Sequence, residues 1–134
     1  MSDTGIVTRQ MLRAKVHRIR VTERQVQYVG SLTLDPELMA ACDMLPYEQI
    51  DIYDVDNGNR FTTYLIEGTP GSGECCVNGA AARLVEIGDK LIICAFAAVK
   101  ESHVRGHKPQ VVLIGEGNKV LTVDDEEKAG TVVP

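Results

Sequence analysis

Gln49-Ile50-Asp51-Ile52-Tyr53-Asp54-Val55 alternates in polarity, breaks at Asp56-Asn57-Gly58-Asn59, and resumes as Arg60-Phe61-Thr62-Thr63-Tyr64-Leu65-Ile66. A period of two puts Ile50 and Ile52 on one face of a strand. The Asn-Gly pair suits the positive φ angles of a tight hairpin turn. The stretch therefore predicts a β-hairpin whose return strand runs from Arg60 to Ile66, in a chain built mainly from strands.

The pattern continues on both sides. Towards the N-terminus, Met11 to Val21 and Val26 to Leu34 read as strands separated by a polar turn, Thr22-Glu23-Arg24-Gln25. Asp35-Pro36-Glu37 starts a helix, with Asp35 as cap, Pro36 in the first turn and an acid near the positive helix end. Leu38, Met39, Cys42 and Leu45 make its apolar face, and Pro46 stops it. Towards the C-terminus, a loop from Gly68 to Gly73 precedes a short strand, Cys75 to Val77. Ala80 to Glu86 reads as a short helix and Leu91 to Val99 as a nearly continuous apolar strand. A last hairpin joins Val111–Ile114 to Val120–Val123 across Gly115-Glu116-Gly117, and residues 124–134 read as a disordered tail. With no repeat and no linker, residues 1–134 form one domain. Many short strands with one or two short helices predict a mainly β fold, a small closed barrel.

Composition narrows the function classes. The chain has 134 residues, 44% of them apolar and 25% charged, and a net charge of −5. That acidity argues against a nucleic-acid partner. Arg18, Arg20 and Arg24 form only a local basic cluster, read as a solvated strand edge. Cys42, Cys75, Cys76 and Cys94 lack zinc or redox spacing and read as buried small residues. His103 and His107 flank a glycine in a basic loop, a poor metal site, and no metal is expected. No apolar run reaches membrane-span length and no signal peptide is evident, which predicts a cytoplasmic protein away from membranes.

Within Tyr28-Val29-Gly30-Ser31-Leu32-Thr33-Leu34, the Gly30-Ser31 pair carries chemistry of its own. A serine hydroxyl can attack the preceding carbonyl, turn the amide into an ester and eliminate, leaving a dehydroalanine that hydrolyses to a pyruvoyl group. A glycine before it frees the backbone to reach the strained geometry of attack. Gly-Ser is also among the commonest turn pairs.

The neighbouring motifs decide between those readings. Met11-Leu12-Arg13-Ala14-Lys15-Val16-His17-Arg18, Asn57-Gly58-Asn59-Arg60-Phe61-Thr62-Thr63-Tyr64 and Val77-Asn78-Gly79-Ala80-Ala81-Ala82 surround the pair in order. From about Met11 to Val99 the chain resembles the aspartate 1-decarboxylases, pyruvoyl enzymes that make β-alanine for pantothenate synthesis. Where that family often has an acidic residue before the glycine, this chain has Val29. The resemblance implies a double-psi β-barrel, a homotetramer, and cleavage between Gly30 and Ser31 into a β chain (1–30) and an α chain (31–134). It admits a maturation factor as a further partner.

The expected chemistry follows from the loss of CO2, which leaves an electron pair on the α-carbon and requires an electron sink. The pyruvoyl group derived from Ser31 would serve, holding the L-aspartate amine as a Schiff base. Arg60 is the candidate to grip the side-chain carboxylate, because a guanidinium matches it with two parallel hydrogen bonds. Lys15 adds a second positive charge on the strength of the resemblance. Tyr64 is the expected proton donor to the carbanion, and Thr63 the donor to the Gly30 carbonyl during cleavage. Thr63 and Tyr64 are neighbours, however, and neighbours on a regular strand face opposite sides. A distorted strand or a site shared between subunits would resolve this. Gly79, Ala80 and Ala81 line the substrate pocket in the resembled family, and Asn78, His17 and Tyr28 are candidates for supporting contacts. Two other classes stay open: an uncleaved barrel acting as a binding or regulatory subunit, and a hydrolase using Ser31, although no G-x-S-x-G elbow surrounds it.

Overall fold

The computed structural model describes residues 6–133. In chain order its elements are β1 (Thr8–Arg20), β2 (Glu23–Gln25), β3 (Ser31–Leu34), α1 (Pro36–Ala41), β4 (Gln49–Asp54), β5 (Arg60–Glu67) and β6 (Cys75–Asn78). A 3-10 turn (Gly79–Leu84), β7 (Lys90–Lys100), β8 (Gln110–Ile114) and β9 (Val120–Asp124) follow. The strands are joined in the order β2-β6-β3-β5-β4-β7-β1-β8-β9.

Only Val21 and Thr22 separate β1 from β2, and this closes the path. The Val21 N–H donates to Asp89 O and the Thr22 N–H to Cys75 O, both at 2.9 Å. Pairing that leaves β1 through β7, β4, β5, β3 and β6 thus returns to β2, the direct continuation of β1. The result is a small, mainly β, barrel-like ring, with β8 and β9 as a hairpin attached to β1.

Inward faces fill the ring. Val16, Ile19, Leu32, Leu34, Ile50, Ile52, Leu65, Val77, Leu91 and Ile93 are all at most 1% exposed. Each such side chain contributes roughly 1.5–3 kcal/mol on burial, against less than about 1 kcal/mol for a surface cross-strand pair. The inward faces therefore set the register. The predicted hairpin forms as read, with Tyr53 opposite Arg60 and Ile50 opposite Thr63. Asp35 caps α1, accepting the Glu37 N–H at 2.9 Å.

Several boundaries differ from expectation. Glu23–Gln25 is a strand parallel to β6 and not a turn, so the reversal falls later, before Ser31. Pairing with β6 outweighs its polar composition, and Arg24 is tied to Ala82 O at 3.2 Å. Helix α1 ends at Ala41 because Asp43 takes a left-handed φ of 53°, which leaves Leu45 64% exposed instead of on an apolar face. Ala80–Glu86 shrinks to the 3-10 turn, since so short a segment gains little from full helix nucleation. Strand β1 lies between β7 and β8, so Arg18 is half-buried at a bulge and not on a solvated edge. His107 is also half-buried, its Nε2 2.6 Å from Leu12 O. Beyond Asp124 the described residues form neither helix nor strand, and Glu127 reaches back to Lys15. All four cysteines are free and buried. No helix among the described residues is long and apolar enough to cross a membrane.

Candidate active site

Ser31 is the first residue of β3 and is 1% exposed. Strand β3 runs antiparallel to β6, with Ser31 opposite Asn78 and Thr33 opposite Cys76. These four side chains share one face, because partners across a ladder and residues two apart point the same way. The Asn78 Nδ2 donates to Ser31 Oγ at 3.0 Å and to Thr33 Oγ1 at 2.8 Å. The Cys76 thiol donates to Asn78 Oδ1 at 3.1 Å. Burial pushes that thiol up to about 11, so it keeps the proton it donates. Asn78 is thereby fixed with its N–H groups aimed at the two hydroxyls. The Ser31 hydroxyl donates in turn to Val29 O at 3.3 Å.

The glycine requirement falls at Gly79, across the turn from Gly30, and not at Gly30 where the sequence suggests it. Gly30 has no left-handed φ, and a Cβ placed there would meet nothing within 4 Å. Gly79 instead takes φ +73°, and a Cβ on it would lie 2.6 Å from Gly30 Cα. Only a glycine at position 79 lets the two backbones pack this closely. Ala80 is exposed, whereas Ala81 is half-buried and packs against the core.

Strand β5 runs parallel to β3 with Leu32 beside Leu65, so one step back along each brings Ser31 level with Tyr64 and another brings Gly30 level with Thr63. Both β5 residues are half-buried on a regular strand, on opposite faces. No hydrogen bond joins the Thr63 hydroxyl to Gly30 among the described residues, and Tyr64 stacks obliquely on Tyr47 with ring centroids 6.5 Å apart. The shared groove beside them is lined by Tyr47, Gln49, Thr62, Thr63 and Tyr64.

No hydrogen bond joins Arg60, Lys15 or His17 to Ser31 among the described residues. Arg60 opens β5, four residues from Tyr64, or about 13 Å along the strand. Its guanidinium lies 4.5 Å over the Tyr53 ring, and it makes no ion pair among the described residues. Lys15 and His17 sit on β1, which pairs with β7 and β8 and not with β3. Lys15 Nζ pairs with Glu127 at 2.7 Å. Burial first, then the Lys15 and Arg18 charges, lower the His17 imidazole below its usual range, which favours the neutral ring. Tyr28 is 60% exposed in the turn before Ser31. Thr33 and Cys76 were not among the candidate site residues, Cys76 being read as a buried small residue, yet each lies two residues from a candidate on the same strand, the spacing that puts them on its face.

This buried Ser31 cluster lies in a chain whose residues 7–121 match the aspartate decarboxylase family model. A curated relative from Ralstonia pickettii, aspartate 1-decarboxylase, is 51% identical over 117 residues, covering 87% of this chain and 98% of its own. The aspartate 1-decarboxylase of Staphylococcus aureus is 46% identical over 93% of this chain and 98% of its own. That of Clostridium kluyveri is 46% identical over 91% and 96% respectively. By sequence match across most of its length, the chain belongs to the aspartate decarboxylase family.

Proposed function

We propose that the protein decarboxylates L-aspartate to β-alanine, a precursor of pantothenate, using a pyruvoyl group made from its own Ser31. The observation that carries this reading is the buried Ser31 hydroxyl, gripped by Asn78 directly after a glycine and beside Gly79, in a member of this family. In the cleavage, the Ser31 Oγ adds to the Gly30 carbonyl carbon, the Gly30–Ser31 C–N bond breaks, and the hydroxyl proton passes to the freed nitrogen. Loss of the Ser31 α-proton then expels the Gly30 carboxylate, and water displaces the nitrogen as ammonia, leaving a ketone at position 31. Asn78 Nδ2 suits this outcome, since an amide N–H serves a ketone oxygen as well as a hydroxyl.

When formed, the ketone supplies a carbonyl for the substrate amine and accepts the electron pair left by departing CO2. The remaining work falls to the chain's own side chains. Arg60, free of an acidic partner among the described residues, takes a substrate carboxylate in its planar fork. Lys15 can take one only by giving up Glu127. Tyr64 carries a phenolic proton to the carbon that lost CO2, and Thr63 donates to the Gly30 carbonyl oxygen during cleavage. Gly79, Ala80 and Ala81 form the small-residue wall of the pocket, with Asn78 orienting position 31.

The distances favour a shared site. The two carboxylate carbons of aspartate are roughly 4 Å apart, whereas the Cα atoms of Arg60 and Tyr64 are about 13 Å apart on one strand. A homotetramer whose sites take Tyr64 or Arg60 from a neighbouring subunit reconciles them. Denaturing mass spectrometry of the purified protein tests the cleavage: two pieces split between Gly30 and Ser31 are expected, with the mass of the second reporting a pyruvoyl end. Ser31→Ala is expected to stay whole and make no β-alanine from aspartate. A Ser31→Ala protein that still decarboxylates would overturn the reading.

A further inference from the structure

A second cluster of chemistry lies away from Ser31, at the closed end of the β4–β5 hairpin. The hairpin turn and the Gly88-Asp89 turn are locked side by side, because Val55 N–H donates to Lys90 O at 2.8 Å and Lys90 N–H to Asp56 Oδ2 at 2.7 Å. That docking gathers the carboxylates of Asp54, Asp56 and Asp89, with one oxygen of each within 4.8 Å of the others. None of the three makes an ion pair with a lysine, arginine or histidine among the described residues. Three acids packed this closely repel one another unless a positive charge joins them.

The hydrogen-bond inventory points to what that charge is. Backbone N–H groups occupy one oxygen of each carboxylate: Asp56 and Asn57 donate to Asp54 Oδ1, Lys90 to Asp56 Oδ2, and Glu86 to Asp89 Oδ2. Asp54 is only 2% exposed, yet its second oxygen is closed off from solvent with no hydrogen-bond partner. The Asp54 and Asp89 carboxyls face each other, and a protonated Asp54 would bond to Asp89. A buried carboxylate oxygen without donor or cation is costly. All-oxygen, anionic and irregular ligands suit a hard divalent cation, and Ca2+ tolerates such geometry better than Mg2+, which demands an octahedron.

We propose that Asp54, Asp56 and Asp89 form a Ca2+-class site that staples the β4–β5 hairpin to the turn before β7. The same hairpin is tied to the end of the 3-10 turn that begins at Gly79, since Asn57 Nδ2 and Asn59 Nδ2 both donate to Leu84 O, at 2.9 and 2.8 Å. Arg60 follows directly. Cation binding therefore steadies the segment that presents Arg60, without entering the chemistry.

The test is calcium titration of the full chain after chelator treatment, followed by calorimetry and by thermal unfolding, with no assay of activity involved. Ca2+ alone is expected to bind, to raise the unfolding temperature, and to do so more strongly than Mg2+. Asp56→Asn, at an exposed position, and Asp89→Asn, at a half-buried one, are expected to stay folded and to bind Ca2+ at least about tenfold more weakly. Without a cation, burial and the neighbouring Asp89 push the Asp54 carboxyl up to about 6, so a shared proton is the competing occupant. Absence of binding heat and of any thermal shift at millimolar Ca2+ would overturn the proposal, as would a shift equally large in both variants.

Discussion

At the scale of single residues, the decisive contact is between Gly79 and Gly30. Any side chain at position 79 meets Gly30 Cα at 2.6 Å while holding a left-handed φ. Gly79→Ala is therefore expected to cost about 1–3 kcal/mol of stability, to be measured by denaturant unfolding, and to slow cleavage followed by mass spectrometry. Asn78 is the second lever. Removing its amide in Asn78→Ala takes away one neutral hydrogen bond to Ser31, worth about 1.4 kcal/mol, so a roughly tenfold slower cleavage is expected. A variant that cleaves at the unaltered rate would remove Asn78 from the machinery. Gly30-Ser31 was legible in the sequence as a candidate pair for cleavage, and Asn78 as a candidate supporting contact. The need for glycine at 79 was not, because it arises from two backbones meeting across a turn 49 residues away in sequence.

At the scale of elements, Asp35 shows how one side chain can serve two. It caps α1 and also accepts the Gly71 N–H at 3.1 Å and the Gly73 N–H at 2.9 Å, so the helix start and the 68–73 loop hang on one carboxylate. Burial by itself would raise this carboxyl. The N–H donors of Gly73, Glu37 and Gly71, with the Lys119 charge, outweigh it and hold the carboxyl below its usual range. A carboxyl depressed in the folded state contributes stability above the unfolded value, about 3.9, and loses it as pH falls through the folded value. Unfolding measured from pH 6 to pH 2 is expected to show this acid loss in the wild type and less of it in Asp35→Asn. Asp35→Ala is expected to cost about 2–4 kcal/mol at neutral pH. The cap was legible, since Asp-Pro-Glu is a local signal. The bonds to Gly71 and Gly73 were not, because nothing local says which loop comes to rest on that carboxylate.

At the scale of the whole molecule, a site shared between subunits makes a prediction no single chain can. Ser31→Ala and Arg60→Ala chains are each expected to be inactive alone. If a site draws Ser31 and Arg60 from different chains, randomly mixed co-expressed chains should recover about a quarter of wild-type activity, the fraction of sites receiving one good residue from each. Recovery near zero would place both residues in one chain. The sequence by itself determined the strand-rich character, the β4–β5 hairpin and the start of α1, and it singled out Gly30-Ser31 as a candidate for cleavage, because period, turn chemistry and capping act over a few residues. Only the tertiary structure decided that Glu23–Gln25 is a strand, that Asn78 grips Ser31, that Gly79 abuts Gly30, and that Asp54, Asp56 and Asp89 converge. Those outcomes depend on which strands become neighbours, and that is set by how all the inward faces fill one core together, a sum no local stretch contains.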